Sequence, residues 1–134
     1  MCGIAGYIGQ GNRDILEKMT NSLMHRGPDD SGFFVHQNVG LGHRRLSIID
    51  LSPTGHQPMP SADGAVTIVF NGEIYNFQSI RDELQGYPFR GTSDTEVILA
   101  AYQAYGLECF KRMNGMFALA LYDAPRERLV LVRD

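Results

Sequence analysis

Strand-length apolar segments come in adjacent pairs along this sequence. Residues 33–36 and 39–49 form one pair, and the two residues between them predict a hairpin turn. Residues 116–122 and 129–132 form a second pair, joined by a short polar turn. Helical patterns are grouped between the pairs and do not alternate with single strands. This order predicts an α+β fold with antiparallel sheet, and it argues against alternating βαβ units.

The rest of the sequence divides into two further strands, four helical segments and two loops. Glycine-bounded apolar runs predict strands at residues 2–9 and 65–70. Apolar spacing predicts helices at residues 13–24 and 97–105, with weaker signals at 77–85 and 107–113. Ser93-Asp94-Thr95-Glu96 is typical of a capping box, and Gly106 is the expected end of the helix that follows it. Glycine, proline and polar residues predict loops at 25–32 and 52–63.

Size and composition exclude several classes of protein. A chain of 134 residues has room for one domain. Its apolar fraction of 43% and charged fraction of 20% exclude a disordered chain, and its net charge of −3 argues against a non-specific nucleic-acid binder. No apolar run approaches membrane-spanning length. With two cysteines and no signal-like N-terminus, we expect a cytoplasmic protein.

Cys2 has two interpretations. If an aminopeptidase removes Met1, Cys2 becomes the N-terminal residue and carries a nucleophile and a base together. Its α-amine would have a pKa of about 8, close to that of a free thiol, so it could accept the thiol proton without a histidine. The alternative is a cysteine that only begins a buried strand.

Asn71-Gly72 also has two interpretations. Asn-Gly after a strand is a strong signal for a hairpin turn. The residues that follow, 73–76, do not alternate as a returning strand would. The second interpretation is an oxyanion hole, in which the Asn71 amide and the Gly72 backbone N–H donate to a developing oxyanion.

The remaining candidates are charged side chains with both structural and binding interpretations. Arg44-Arg45 belongs either to a solvated strand face or to a bidentate clamp for a carboxylate. Asp94 is expected to cap a helix or to hold an ammonium group. Cys109 is expected in the core. The four histidines lack metal-ligand spacing, and no glycine loop of the nucleotide-binding type occurs, so no metal or nucleotide site is predicted.

Seven blocks lie in order along the whole chain: MCGIAG (1–6), HRGPDDSG (25–32), GHRRLSIID (42–50), GHQPM (55–59), FNGEIYN (70–76), SDTEV (93–97) and NGMFA (114–118). Together they resemble the glutaminase domain of class II glutamine amidotransferases and, within that class, the asparagine synthetases. The block at 42–50 indicates the branch, since the sugar-phosphate aminating relatives carry a different run there. Cys2 separates the chain from the β-lactam-forming relatives, which lack that nucleophile.

The resemblance implies a fold and a set of roles. The fold is that of the N-terminal-nucleophile hydrolases, with two stacked antiparallel sheets between helical layers. Cys2 would be the nucleophile and its α-amine the base, with Asn71 and Gly72 as the oxyanion hole. Substrate binding is implied for the following residues: Arg45 for the α-carboxylate of glutamine, Glu73 and Asp94 for its ammonium group, and the backbone around Leu46, Ile48 and Ile49.

The implied reaction is hydrolysis of glutamine to glutamate and ammonia through a γ-glutamyl thioester on Cys2. The ammonia would supply an ATP-dependent synthetase domain of the parent protein. That domain is absent from this chain, and ATP and Mg²⁺ are expected only there. We also expect residues 1–134 to be an amidotransferase domain that is incomplete at its C-terminus, because relatives continue past Asp134. Three alternatives remain open. The ammonia could serve a different acceptor, from surface-sugar or secondary metabolism, or the chain could be a glutamine-binding remnant without catalysis. The chain could also form a homodimer.

Overall fold

Two antiparallel sheets form the centre of the protein. The computed structural model describes residues 1–47 and 52–134, and within them the sheets have the strand orders β1-β3-β2 and β4-β5-β6-β7. The strands are β1 (Gly3–Ile8), β2 (Asp30–His36), β3 (Val39–Arg45), β4 (Met59–Pro60), β5 (Val66–Ile74), β6 (Gly115–Asp123) and β7 (Arg128–Arg133). The helices are α1 (Arg13–Asn21), α2 (Phe77–Glu83) and α3 (Asp94–Tyr105), with 3₁₀ segments at Pro53–Gly55 and Gly106–Arg112.

The sheets stack face to face, and each is covered on its outer side by helix. Helix α1 packs against β1 and β3, while α3 packs against β5 and α2 packs against α3. Strands β1 and β3 contact β5 across the interface between the sheets. The predicted α+β fold, with stacked antiparallel sheets between helical layers, is therefore confirmed.

The alternation of side chains along β5 explains why both of its faces are apolar. Val69 points into the cluster between the sheets, where it meets Val39 and Leu41. Its neighbours Ile68 and Phe70 point the other way and pack with the buried face of α3. A strand covered on both faces reads as a continuous apolar run, because successive side chains point to opposite sides.

Helix α1 lies close to the first sheet because the strand beneath it carries glycine. Leu16 and Thr20 are fully buried on its inner face. A Cβ atom at Gly42 would lie 2.0 Å from the Thr20 Oγ1, so any larger residue in β3 would push the helix away. Asn12 begins the helix by accepting a hydrogen bond from the Ile15 N–H at 2.9 Å.

Helix α1 ends at Asn21, short of the predicted 13–24, and four predictions about strands and turns were also wrong. Strand β3 ends at Arg45, short of the predicted 39–49, and residues 48–51 lie outside the described ranges. Strand β2 begins at Asp30 within the predicted loop 25–32, because its polar first residues pair with Arg45 and Arg44. Strand β4 lies within the predicted loop 52–63. Strand β5 runs through Asn71-Gly72 to Ile74, so the hairpin-turn interpretation is wrong.

The start of α3 follows the prediction in part. The Ser93 side chain accepts the Glu96 N–H, as a capping residue does. The Glu96 carboxylate accepts the N–H groups of Arg90 and Gly91, each at 2.8 Å. The buried carboxylate thus ties the preceding loop to the helix. The weak helical signal at 107–113 corresponds to the 3₁₀ segment Gly106–Arg112.

Candidate active site

A cavity of ≈ 260 Å³ lies where the ends of β1, β3 and β5 approach the first turn of α3. Seven of the nine site residues predicted from sequence line it: Cys2, Arg45, Leu46, Asn71, Gly72, Glu73 and Asp94. The other two, Ile48 and Ile49, lie outside the described residues. Residues from both sheets and from α3, far apart in the sequence, therefore meet at one place.

Cys2 lies on the cavity wall next to the end of β3. Strand β1 pairs Gly3 with Arg44, and this register places Cys2 beside the residues that follow β3. Its Sγ accepts the Leu46 N–H at 3.3 Å and lies 3.7 Å from the Leu46 carbonyl oxygen, to which the thiol donates. Its carbonyl oxygen accepts a hydrogen bond from Arg26 at 3.1 Å. In the chain as described, the Cys2 nitrogen is in a peptide bond to Met1, which also lines the cavity.

The Arg45 guanidinium is buried and contacts Ser52 and Gly55. Its Nη1 donates to the Ser52 carbonyl at 3.0 Å. The guanidinium also lies directly against Gly55, where a Cβ atom would come within 2.1 Å of its Nη2. Arg45 is 9% exposed. A planar fork held in this way suits bidentate recognition of a carboxylate.

Arg44 points away from the cavity. It is 8% exposed and donates to the Gly27 carbonyl at 2.9 Å, which ties β3 to the segment before β2. All seven residues of β3 are buried, so the solvated-face interpretation of Arg44-Arg45 is wrong. The burial reflects the central position of β3 between β1 and β2.

Asn71 and Gly72 lie within β5, opposite Ala118 and Phe117. Gly72 has a φ of +148°, and a Cβ there would lie 2.2 Å from the Met116 carbonyl oxygen, so only glycine fits. Backbone N–H groups alternate sides along a strand. The Gly72 N–H therefore shares the edge of β5 used by two other donors: Phe70, which donates to Gln57, and Ile74, which donates to Asp94. Among the described residues, the Asn71 side chain has no hydrogen-bond partner.

Asp94 and Glu73 bring negative charge to the cavity. Asp94 is the first residue of α3, is 8% exposed, and accepts the Ile74 N–H at 2.9 Å. Burial raises the pKa of the Asp94 carboxyl above its ordinary value of 3.8, and the neighbouring charge of Glu73 adds to that increase. Glu73 lies on β5 and is exposed. An ammonium group bound between them would offset the repulsion between the two carboxylates.

Sequence reasoning assigned no role to Gln57, Gly55 or Thr95, which also line the cavity. Gln57 is 6% exposed and bridges β5 and α3. The signal that pointed to it was block 55–59, where a glutamine stands among loop-forming residues. Cys109 is fully buried, as expected for a core residue, and burial raises the pKa of its thiol to about 12.

The described chain offers neither a metal site nor a membrane-spanning helix. No three side chains of the His, Cys, Asp or Glu type are grouped there in a way that could hold a metal ion. No helix in residues 1–47 and 52–134 is long and apolar enough to cross a lipid bilayer.

Known proteins similar to this chain are several times its length. It is 40% identical to glutamine-hydrolyzing asparagine synthetase 1 of Bacillus subtilis, over 100% of this chain and 22% of that protein. It is also 40% identical to amidase chyE of Penicillium rubens, again over 100% of this chain and 22% of that protein. The chain thus spans about a fifth of the length of these relatives.

The fold itself matches a solved structure. Glutamine phosphoribosylpyrophosphate amidotransferase from B. subtilis has a TM-score of 0.78 to this chain at 19% identity. The likeness covers 98% of this chain and 37% of that one. It supports the N-terminal-nucleophile hydrolase fold that the sequence blocks implied. The family profile described as a glutamine amidotransferase domain matches residues 1–134, and the chain therefore belongs to the glutamine amidotransferase domain family.

Proposed function

We propose that this chain hydrolyses glutamine to glutamate and ammonia, with Cys2 as the nucleophile. The observation that carries the proposal is that one cavity joins a thiol, a buried guanidinium, two carboxylates and an amide beside Gly72. Free glutamine presents a carboxylate, an ammonium group and a carboxamide. Each of these has a complementary group on the cavity wall.

The charged ends of glutamine would orient its carboxamide. Arg45 would bind the α-carboxylate in a bidentate manner, since its guanidinium is already positioned by Ser52 and Gly55. Asp94 and Glu73 would bind the ammonium group. The Leu46 backbone would also bind the substrate, since Leu46 lines the cavity, and we propose the same role for Ile48 and Ile49. The carboxamide would then point toward the Cys2 sulfur.

Removal of Met1 would prepare the nucleophile, because it would convert the Cys2 nitrogen from an amide to an amine. That amine would take the thiol proton as the sulfur attacks the carboxamide carbon. The Asn71 amide and the Gly72 N–H would hold the oxyanion that forms. The amine would return the proton to the departing nitrogen, which leaves as ammonia. Water would then cleave the γ-glutamyl thioester to glutamate and regenerate the thiol.

The test compares Cys2→Ala with Cys109→Ala in protein whose intact mass shows that Met1 has been removed. We expect Cys2→Ala to abolish glutamate formation and Cys109→Ala to retain it, because Cys109 is buried away from the cavity. Glutamate formation that survives Cys2→Ala would refute the proposal. Binding of glutamine by the processed wild-type protein without turnover would instead identify a glutamine-binding remnant.

We further propose that the ammonia serves an ATP-dependent synthetase domain of a longer parent protein, as the asparagine synthetase relative suggests. Glutamate formation by this chain should then need neither ATP nor Mg²⁺, which a chelator tests directly. The amidase relative, equally similar at 40% identity, favours a second candidate with a different acceptor. Assays of the longer protein with aspartate, ATP and Mg²⁺ would separate the two candidates.

The cytoplasm is the compartment that we propose for this reaction. Both cysteines are free thiols in the structure. A thiol nucleophile is preserved in a reducing compartment.

A further inference from the structure

The Gln57 side chain joins two elements that carry different parts of the cavity. Its Oε1 accepts the Phe70 N–H of β5 at 2.6 Å. Its Nε2 lies 3.4 Å from the Thr95 Oγ1, in the first turn of α3, and donates to it. Phe70 immediately precedes Asn71, and Thr95 immediately follows Asp94.

The orientation of this amide is determined by its partners. The Phe70 backbone group is an N–H donor, so the oxygen of the Gln57 amide must face it. The NH₂ group must then face Thr95, whose hydroxyl oxygen can accept. Gln57 and Thr95 are both buried, at 6% and 4% exposed. A buried amide with both ends bonded is costly to disturb, because the loss of either partner leaves a polar group unsatisfied.

Strand β5 needs such a contact because its neighbour β4 is short. Strand β4 pairs only Met59 with Ile68 and Pro60 with Thr67. Beyond Ile68 the same edge of β5 has no strand partner within the described residues. The Gln57 amide accepts the next N–H on that edge, where a longer β4 would have supplied a carbonyl.

We propose that Gln57 is a positioning residue, whose amide sets the free edge of β5 and the first turn of α3 at a constant separation. Phe70 on that edge stands two residues before Gly72, and Thr95 stands beside Asp94. The inference deepens the proposed function and rests on it: Gln57 would hold the oxyanion donors in register with the group that binds the ammonium. Gln57 itself makes no chemical step.

Two substitutions distinguish the loss of both Gln57 hydrogen bonds from the loss of the bond to Thr95 alone. Gln57→Met keeps the length of the side chain but removes both hydrogen bonds. We expect kcat to fall about 10- to 100-fold, because the oxyanion donors lose their position, and KM to rise as well. Thr95→Val removes only the acceptor on α3. We expect KM to rise about 3- to 10-fold with kcat within about twofold, and Thr95→Ser to rescue most of that rise.

The matched control is Gln103→Met, the same change on the exposed part of α3, where the side chain bonds only Asp63 among the described residues. We expect wild-type kcat and KM from it. A Gln57→Met protein that loses thermal stability but keeps kcat and KM would show a purely structural role and would overturn the proposal. If Gln57→Met does not fold, an unchanged KM in Thr95→Val would overturn it.

Amide hydrogen exchange makes the test independent of turnover. We expect the Phe70 amide to exchange faster in Gln57→Met than in wild type, while the control stays unchanged. Unaltered protection at Phe70 would overturn the proposal whatever the kinetics. If wild-type protein makes no glutamate but the Phe70 amide loses protection in Gln57→Met, the proposed function fails while the link between β5 and α3 stands.

Discussion

Replacing Gly55 with alanine tests whether the position of Arg45 determines glutamine affinity. An alanine Cβ would lie 2.1 Å from the Arg45 Nη2 and 2.8 Å from its Cζ. Ordinary non-bonded contacts need about 3.5 Å, so the guanidinium must move by more than about 1 Å. The clash falls on the far end of a flexible side chain. We therefore expect the fold to accept the substitution and the carboxylate clamp to lose its alignment.

The size of the effect follows from the bonds that the displacement would weaken. A hydrogen bond to a charged group contributes about 1.5–3 kcal/mol. Loss of one such bond to the α-carboxylate corresponds to a fall in kcat/KM of about 10- to 150-fold. Because the carboxylate lies far from the reacting bond, we expect the loss in KM and little change in kcat.

Steady-state glutaminase kinetics on Gly55→Ala and Gly86→Ala provide the assay. Gly86 is exposed, and a Cβ there would meet nothing within 4 Å, so its substitution controls for the change of residue type. A KM for Gly55→Ala within twofold of wild type, in a protein of unchanged Tm, would refute the role of Arg45. A fall in kcat with no change in KM would show that Gly55 affects the chemical step and not glutamine binding.

Three further predictions concern stability and thiol reactivity. Burial lowers the pKa of His43 from 6.5 to about 4, so its neutral form stabilises the fold above pH 6.5, and about 3 kcal/mol of the free energy of unfolding is lost as the pH falls toward 4. Urea unfolding of His43→Gln should lack that decline. Equal dependence of unfolding free energy on pH in the variant and the wild type would contradict the prediction. Gly72→Ala should lower the free energy of unfolding by more than about 2 kcal/mol, and by more than Gly9→Ala, which also has a positive φ but meets no neighbour. At pH 8 a thiol reagent should modify Cys2 in the native protein and Cys109 only after unfolding, because burial raises the pKa of Cys109 to about 12; rapid modification of both thiols would contradict this.

Local patterns predicted the helices better than the ends of the strands. The N-cap at Ser93 and the apolar period of α3 are properties of neighbouring residues, and both are confirmed. Whether β3 stops at Arg45 or continues depends on partners in β1 and β2, which are remote in sequence. The Asn-Gly dipeptide favoured a turn in isolation, but pairing with β6 keeps β5 extended through it.

The same limit applied to the candidate site. Cys2 and Arg45 meet because the antiparallel register of β1 and β3 brings the start of one strand to the end of the other. Residue spacing in the sequence does not predict that register. Only the resemblance to a family therefore linked Cys2 with Arg45. Block 55–59 marked Gln57 but could not show its role, because its two partners lie 13 and 38 residues away.

The candidate site forms where regular strand pairing stops. Strand β4 covers only the first part of β5, and the edge beyond it, which has no strand partner among the described residues, must satisfy its backbone N–H groups by other means. Phe70 is satisfied by the Gln57 amide and Ile74 by the Asp94 carboxylate. Gly72 lies between them on the same edge, and its positive φ and close approach to Met116 exclude a side chain that could cover it. Within residues 1–47 and 52–134, the short β4 leaves this strand edge open at Gly72, whose N–H is thus suited to donate to a ligand.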